Sequence, residues 1–202
     1  MRFAVAIDGP AAAGKGTVSK AVARHFGFAH LDTGLLYRAV GLKVLHGSDP
    51  IATASALQPE DLENGDLRTH AVAQAASKCA VIPEVREALI AFQRQFAKRE
   101  GGAVLDGRDI GTVICPNANV KLFVTASAET RAERRFKELS ERGEAVEYMQ
   151  VLKDVEQRDE RDRQRKTAPL IAAEDAVLID TSNLTVDQAV AAAITEIAAR
   201  LR

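Results

Sequence analysis

Residues Gly9 to Thr17 read Gly-Pro-Ala-Ala-Ala-Gly-Lys-Gly-Thr. Gly9, Gly14 and Lys15 have the spacing G-x-x-x-x-G-K, which suits a phosphate-binding loop. The chemistry explains the spacing. Glycines let the backbone turn and approach a polyphosphate closely, so several N–H groups point at one anion. A helix that begins near Lys15 adds the positive end of its dipole. Lys15 itself supplies a mobile charge for the outer phosphates. The alternative is tight packing at a strand–helix turn. The apolar run Phe3–Ile7 before the loop and the amphipathic stretch after it favour phosphate binding.

Other residues could add to this chemistry. Asp106 ends a second apolar run, and an acid so placed holds Mg²⁺, usually through water. Arg108 and Asp109 follow at once. They could form a structural ion pair, or they could read a base, one donating and the other accepting. Asp32 or Thr33 can cap a helix. Arg38 lies one turn inside that helix, as a surface residue or as a bidentate donor to a second anion. Arg131, Arg134 and Arg135 share one helical stretch, and Arg158, Arg161, Asp162 and Arg165 another. Arg158, Asp162 and Arg165 are four and three apart, so they share a face. Such runs are ordinarily solvated. Near a phosphate loop they could instead neutralise a transferring phosphoryl group. His25, His30, His46 and His70 have no ligand spacing and read as surface or helix-end histidines.

These groups need a frame. Short apolar runs at 3–7, 28–31, 103–105, 120–124 and 176–179 read as strands. Helices are expected after the phosphate loop and at about 35–45, 67–78, 83–99, 128–142, 147–165 and 186–201. The stripe of the 83–99 helix is expected to be Val85, Leu89, Phe92 and Phe96. Residues 48–66 read as loop or short helix, and Gly143 interrupts a charged hairpin. Continuous apolar strands alternating with helices predict an α/β fold, a parallel sheet covered on both faces. Functional groups in such a sheet gather at the C-terminal ends of its strands. Here those ends carry Asp8-Gly9, Asp32-Thr33-Gly34, Asp106 to Asp109, Thr125 and Asp180-Thr181.

Composition excludes some classes. The formal net charge of the 202 residues is −1, so there is no global basic footprint for nucleic acid. The sequence has no Trp and few aromatics, hence no stacking platform for single strands. Cys79 and Cys115 have neither metal-like nor redox-like spacing and read as thiols in a reducing compartment. No apolar run approaches the roughly 20 residues of a membrane span.

The Gly16-Thr17 ending of the loop is similar to that of nucleoside monophosphate kinases. Nearly the whole chain resembles cytidylate kinase of the bacterial type. The resemblance rests on Ile7 to Thr17, Leu31-Asp32-Thr33-Gly34 with Tyr37-Arg38, Leu67-Arg68-Thr69, Ala75-Ala76-Ser77 and Val85 to Leu89. It continues through Asp106-Gly107-Arg108-Asp109-Ile110-Gly111-Thr112, Arg158 to Arg165 and Ala168-Pro169-Leu170. It implies a P-loop core with a five-stranded parallel sheet in the order 2-3-1-4-5, at 1–47 and 101–202, with a lid at about 140–165. A helical monophosphate-binding region is expected at 48–100. Longer members carry a small three-stranded sheet there. The stretch from Gly47 to Leu67 is too short and lacks strand-like alternation.

The resemblance implies transfer of the γ-phosphoryl of ATP to CMP or dCMP, with Mg²⁺, by a cytoplasmic monomer that binds neither nucleic acid nor membrane. Gly9, Pro10, Ala11, Ala12, Ala13, Gly14, Lys15, Gly16 and Thr17 would bind ATP. Thr33, Arg38, Ser77, Arg86, Arg108, Asp109, Arg158 and Asp162 would bind the acceptor. Lys15, Arg131, Arg134, Arg158 and Arg165 would neutralise charge, and Asp106 would hold the metal through water.

Overall fold

The computed structural model describes residues 1–201. The apolar runs become β1 (Ala4–Asp8), β2 (Ala29–Asp32), β3 (Ala103–Gly107), β4 (Val120–Thr125) and β5 (Val177–Asp180). They form one sheet in the expected order, β2-β3-β1-β4-β5. The pairs β1–β3, β1–β4 and β4–β5 are parallel. All of β3 is buried, and so is β1 beyond Ala4, as strands covered on both faces must be. Pairing carries β1 one residue past its apolar run. Asp8 lies beside Gly107 and Phe123, and Ile7 beside Asp106. That register sets Asp106 one residue short of Asp8 on the neighbouring strand.

The helices are α1 (Lys15–Phe26), α2 (Thr33–Leu45), α3 (Pro50–Ser55), α4 (His70–Cys79), α5 (Pro83–Ala97), α6 (Ala128–Glu141), α7 (Tyr148–Gln164) and α8 (Val186–Arg200). The chain divides into two compact units, Met1–Leu31 with Phe96–Arg202, and Asp32–Gln95. In the first, Val5, Ile7, Val18, Val22, Leu122 and Ile197 are among the residues of a core under the sheet. The α6–α7 hairpin has its own apolar seam of Ala132, Leu139, Val151 and Val155. Phe136 and Tyr148 meet edge to face beside it.

In the second unit, Leu36, Val40, Cys79, Val85 and Leu89 pack together. The second unit thus contains α2, whereas the expected region begins at residue 48. A side chain at Gly41 would put its Cβ 2.7 Å from the Ala76 nitrogen, so glycine lets α2 lie against α4. Residues 50–68 form α3 and two short 3₁₀ turns, Pro59–Leu62 and Gly65–Arg68, with no strand. The buried face of α5 differs from its expected stripe. It is Val85, Arg86, Leu89 and Gln93, and Phe92 is 46 % exposed. Two of those positions are polar and escape a search for apolar periodicity. Their cost of burial is offset by bonds from Arg86 to the Ala80 carbonyl and from Gln93 to that of Leu89.

Candidate active site

In the first unit, the chain leaves β1 at Gly9 with φ 146°, where an added Cβ would lie 1.8 Å from the Val124 carbonyl oxygen. Only glycine passes so close to β4. Gly14, with φ 91°, takes the N-cap position of α1, and Thr17 and Val18 donate back to its carbonyl. Three other loop carbonyls are held by side chains. Lys15 Nζ donates to Pro10 at 2.7 Å, Arg131 Nη1 to Ala11 at 3.3 Å and Thr181 Oγ1 to Ala13 at 2.9 Å. In a planar trans peptide, the C=O and the following N–H point in opposite directions. Fixing these carbonyls therefore fixes the N–H vectors of Ala11, Ala12 and Gly14. The loop is braced for an anion in advance.

Two acids stand beside the loop. Asp106 Oδ2 lies 2.7 Å from His30 Nε2. His30, expected at the surface or at a helix end, instead lies on β2 with its side chain largely enclosed. Asp8 accepts from Ile110 N at 2.8 Å and Gly111 N at 2.7 Å. Burial pushes its carboxyl up to about 6. The bonds from Gly111 and Ile110 work against burial, Asp109 adds to it and Lys15 opposes it. Asp109 is buried where β3 runs into a single π-type turn, Ile110–Ile114.

The arginines divide into two sets. Arg108 Nε donates to Asp162 Oδ2 at 3.0 Å, and Arg158 Nε approaches the same oxygen at 4.0 Å. Arg165 Nε donates to the Asp162 carbonyl at 3.3 Å. Burial would raise the Asp162 carboxyl, but Arg108, Arg158 and Arg165 together hold it below the usual range. Asp162 therefore stays ionised at neutral pH and gathers three cations at the strand ends.

Arg131 and Arg134 are placed otherwise. Arg131 is 3 % exposed and makes a bidentate pair with Asp159, besides bonding the carbonyls of Ala126 and Ala11. Arg134 donates to the hydroxyl and carbonyl of Thr181. Neither fits the solvated-face reading. Arg131 joins α6, α7 and the phosphate loop, and Arg134 clamps the residue that braces Ala13.

In the second unit, Asp32 occupies the N-cap position of α2 but makes no side-chain cap; it meets Arg68 at 3.4 Å. Thr33 is buried, and Arg38 Nη1 donates to the Leu67 carbonyl at 2.6 Å. Arg86 and Ser77 are both 2 % exposed, and the Arg86 guanidinium lies 5.8 Å over the Tyr37 ring. The face of the Tyr37 ring gives the guanidinium a cation–π contact.

Sequence reasoning assigned no role to His30, Asp159 or Thr181, and noted Asp8 and Thr181 only as residues at strand ends. Their common signal is position, at a strand end or inside the Arg158–Arg165 motif. Among the described residues, no group of three or more His, Cys, Asp or Glu gathers to hold a metal. No helix among them is long and apolar enough to cross a membrane.

The family model described as cytidylate kinase matches residues 5–59 and 51–199. A protein of Cereibacter sphaeroides named cytidylate kinase is 64 % identical over 200 residues, 99 % of this chain and 97 % of that protein. Another so named, from Paramagnetospirillum magneticum, is 57 % identical over 204 residues, 96 % of this chain and 97 % of its own. Among solved structures, an uncharacterized protein from Eubacterium ventriosum superimposes with a TM-score of 0.58 at 18 % identity, covering 99 % of this chain and 100 % of its own. A sugar kinase from Janibacter gives 0.51 at 17 % identity, covering 98 % and 95 %. At these identities the structural likeness concerns the fold.

Proposed function

The chain belongs to the cytidylate kinase family, and we propose that it transfers the γ-phosphoryl of ATP to CMP or dCMP, giving ADP and CDP or dCDP. The observation that carries this reading is the braced phosphate loop beside a buried Asp109 and the Arg108–Asp162 cluster. Gly9 to Thr17 serve the donor. Within the first unit, Arg108 is assigned to the acceptor phosphate, Asp109 to the base, and Arg158 and Asp162 to the ribose. Within the second, Arg38 is assigned to the phosphate, Ser77 and Arg86 to the base, and Thr33 to the acceptor as well.

Phosphoryl transfer asks little covalent chemistry of the protein; it needs alignment and charge compensation. Lys15, Arg158 and Arg165 meet the charge that spreads over the transferring group. Arg131 and Arg134 serve by holding the loop and the hairpin, with the hairpin as the lid that excludes water. Asp106 fits Mg²⁺ through water, since a single carboxylate suits an ion that keeps several waters and phosphate oxygens. When bound, that ion supplies further neutralisation of the phosphates.

The base assignment has a chemical logic. Cytosine offers an amine beside N3 and O2. Asp109 or Ser77 can accept from the amine, and Arg86 can donate to N3 and O2. Uracil would set a carbonyl against the Asp109 carboxylate, and the groups left without partners cost discrimination. A panel of CMP, dCMP, UMP and AMP in a coupled ADP assay tests the proposal. CMP or dCMP should lead at low acceptor concentration. Faster turnover of UMP or AMP would overturn it, and salt-sensitive RNA binding without phosphorylation of CMP would point to an RNA-gripping ATPase.

A further inference from the structure

The Asp8 carboxylate is spent on a turn more than 100 residues away in sequence. Its two oxygens take the N–H groups of Ile110 and Gly111, the two residues that follow Asp109. The carbonyl of Asp109 is held as well, by the N–H groups of Val113 at 2.9 Å and Ile114 at 3.1 Å. The peptide that joins Asp109 to Ile110 is thus fastened at both its carbonyl and its N–H. On its own strand, Asp8 immediately precedes Gly9, where the phosphate loop begins.

We infer that Asp8 is a positioning residue for acceptor recognition, tying the root of the donor loop to the turn that aims Asp109 at the base. It touches neither nucleotide. It acts through the direction in which the Asp109 side chain leaves the backbone, and the inference rests on Asp109 reading the cytosine amine. A carboxylate suits the task better than an amide, because it offers an acceptor to each of two neighbouring N–H groups. Gly111 completes the arrangement. A Cβ there would lie 3.3 Å from Asp8 Oδ2 and 3.1 Å from the Lys121 side chain, so glycine allows the close approach.

The test compares kcat/KM for CMP and for UMP on one preparation of each variant, so that the ratio does not depend on the folded fraction. Asp8→Asn leaves one acceptor and turns an NH₂ group towards the other N–H. The ratio should fall about tenfold, the worth of roughly one hydrogen bond. Gly111→Ala, which presses on the same contact from the turn side, should lower it in the same direction and serves if Asp8→Asn folds poorly. Asp109→Ala should lower the ratio by itself, and adding Asp8→Asn to it should lower the ratio no further. If Asp109→Ala lowers the ratio while neither Asp8→Asn nor Gly111→Ala does, the positioning role is overturned. An additive double variant overturns it too, because Asp8 would then act by another route. If Asp109→Ala leaves the ratio unchanged, the base-reading assignment has failed and the positioning role falls with it.

Discussion

Replacing Asp159 with alanine should leave Arg131 as a buried cation with two N–H directions aimed at no acceptor. Both side chains are at least nine-tenths buried, so water cannot take the place of the lost carboxylate without opening the α6–α7 seam. Removing one partner of such a pair costs about 3–5 kcal/mol. For a chain of this size, that corresponds to a fall in Tm of roughly 6–20 °C. The double variant Arg131→Met/Asp159→Leu removes both charges. It still strips the Ala126 and Ala11 carbonyls of a donor, at about 1 kcal/mol each, so its net cost is about 2 kcal/mol. The double variant should therefore be more stable than Asp159→Ala alone. Urea unfolding followed by circular dichroism measures both. A loss under about 1 kcal/mol for Asp159→Ala, or a double variant as unstable as the single, would refute the reasoning. The first result would return Arg131 to the role of a solvent-facing arginine, and the second would show that the loss does not come from a stranded charge.

Lys15→Ala should lower kcat by ~10²–10³ or more while the circular dichroism spectrum stays native, since the lysine's bond to the Pro10 carbonyl is local; near-normal turnover would remove Lys15 from the chemistry. Gly41→Val should destabilise by about 1–3 kcal/mol, because its Cβ meets the Ala76 backbone rather than a flexible side chain; an unchanged Tm would show that α2 and α4 can part without cost. Asp8 sets a pH dependence. Its carboxyl lies near 6 in the folded protein against an ordinary 3.8, so the folded state binds more protons between those values. The contribution to stability is full below about 3.8 and is lost as pH rises through 6, a swing of about 3 kcal/mol. Asp8→Asn lacks the swing, so it should gain on the wild type as pH rises from 4 to 7 in a series of urea titrations. A difference that stays flat across that range would contradict the burial argument.

The fold was legible where local chemistry is sufficient. Each strand is built on a short apolar run, ended in every case but β4 by Gly or Asp, and the phosphate loop announces itself because close approach to an anion demands glycine at fixed spacing. The order of the strands came from resemblance, since periodicity alone does not say which strands are neighbours. The segment 48–66 could be read as strandless because Pro, Gly and acidic residues leave no alternation to pair.

The site was legible in its residue types but not in its pairings. A helical spacing tells which charges share a face, as it does for Arg158, Asp162 and Arg165. It does not tell which face is buried. Arg131 and Arg134 looked alike in sequence to any solvated helix, yet Arg131 faces Asp159 from 28 residues away and Arg134 faces Thr181 from 47. His30 and Asp106 meet for the same reason, across two strands whose neighbourhood is a tertiary fact. On α5 the argument runs the other way. Apolar periodicity chose Phe92, but the buried stripe passes through Arg86 and Gln93. A polar residue can occupy a buried position when its partners are fixed around it, and those partners are backbone carbonyls that no sequence pattern marks. These mismatches fall mainly around the phosphate loop and the proposed acceptor residues, where charged and polar groups are buried to be held in position. That is where a rule based on hydrophobicity should fail in a protein whose work is to orient anions.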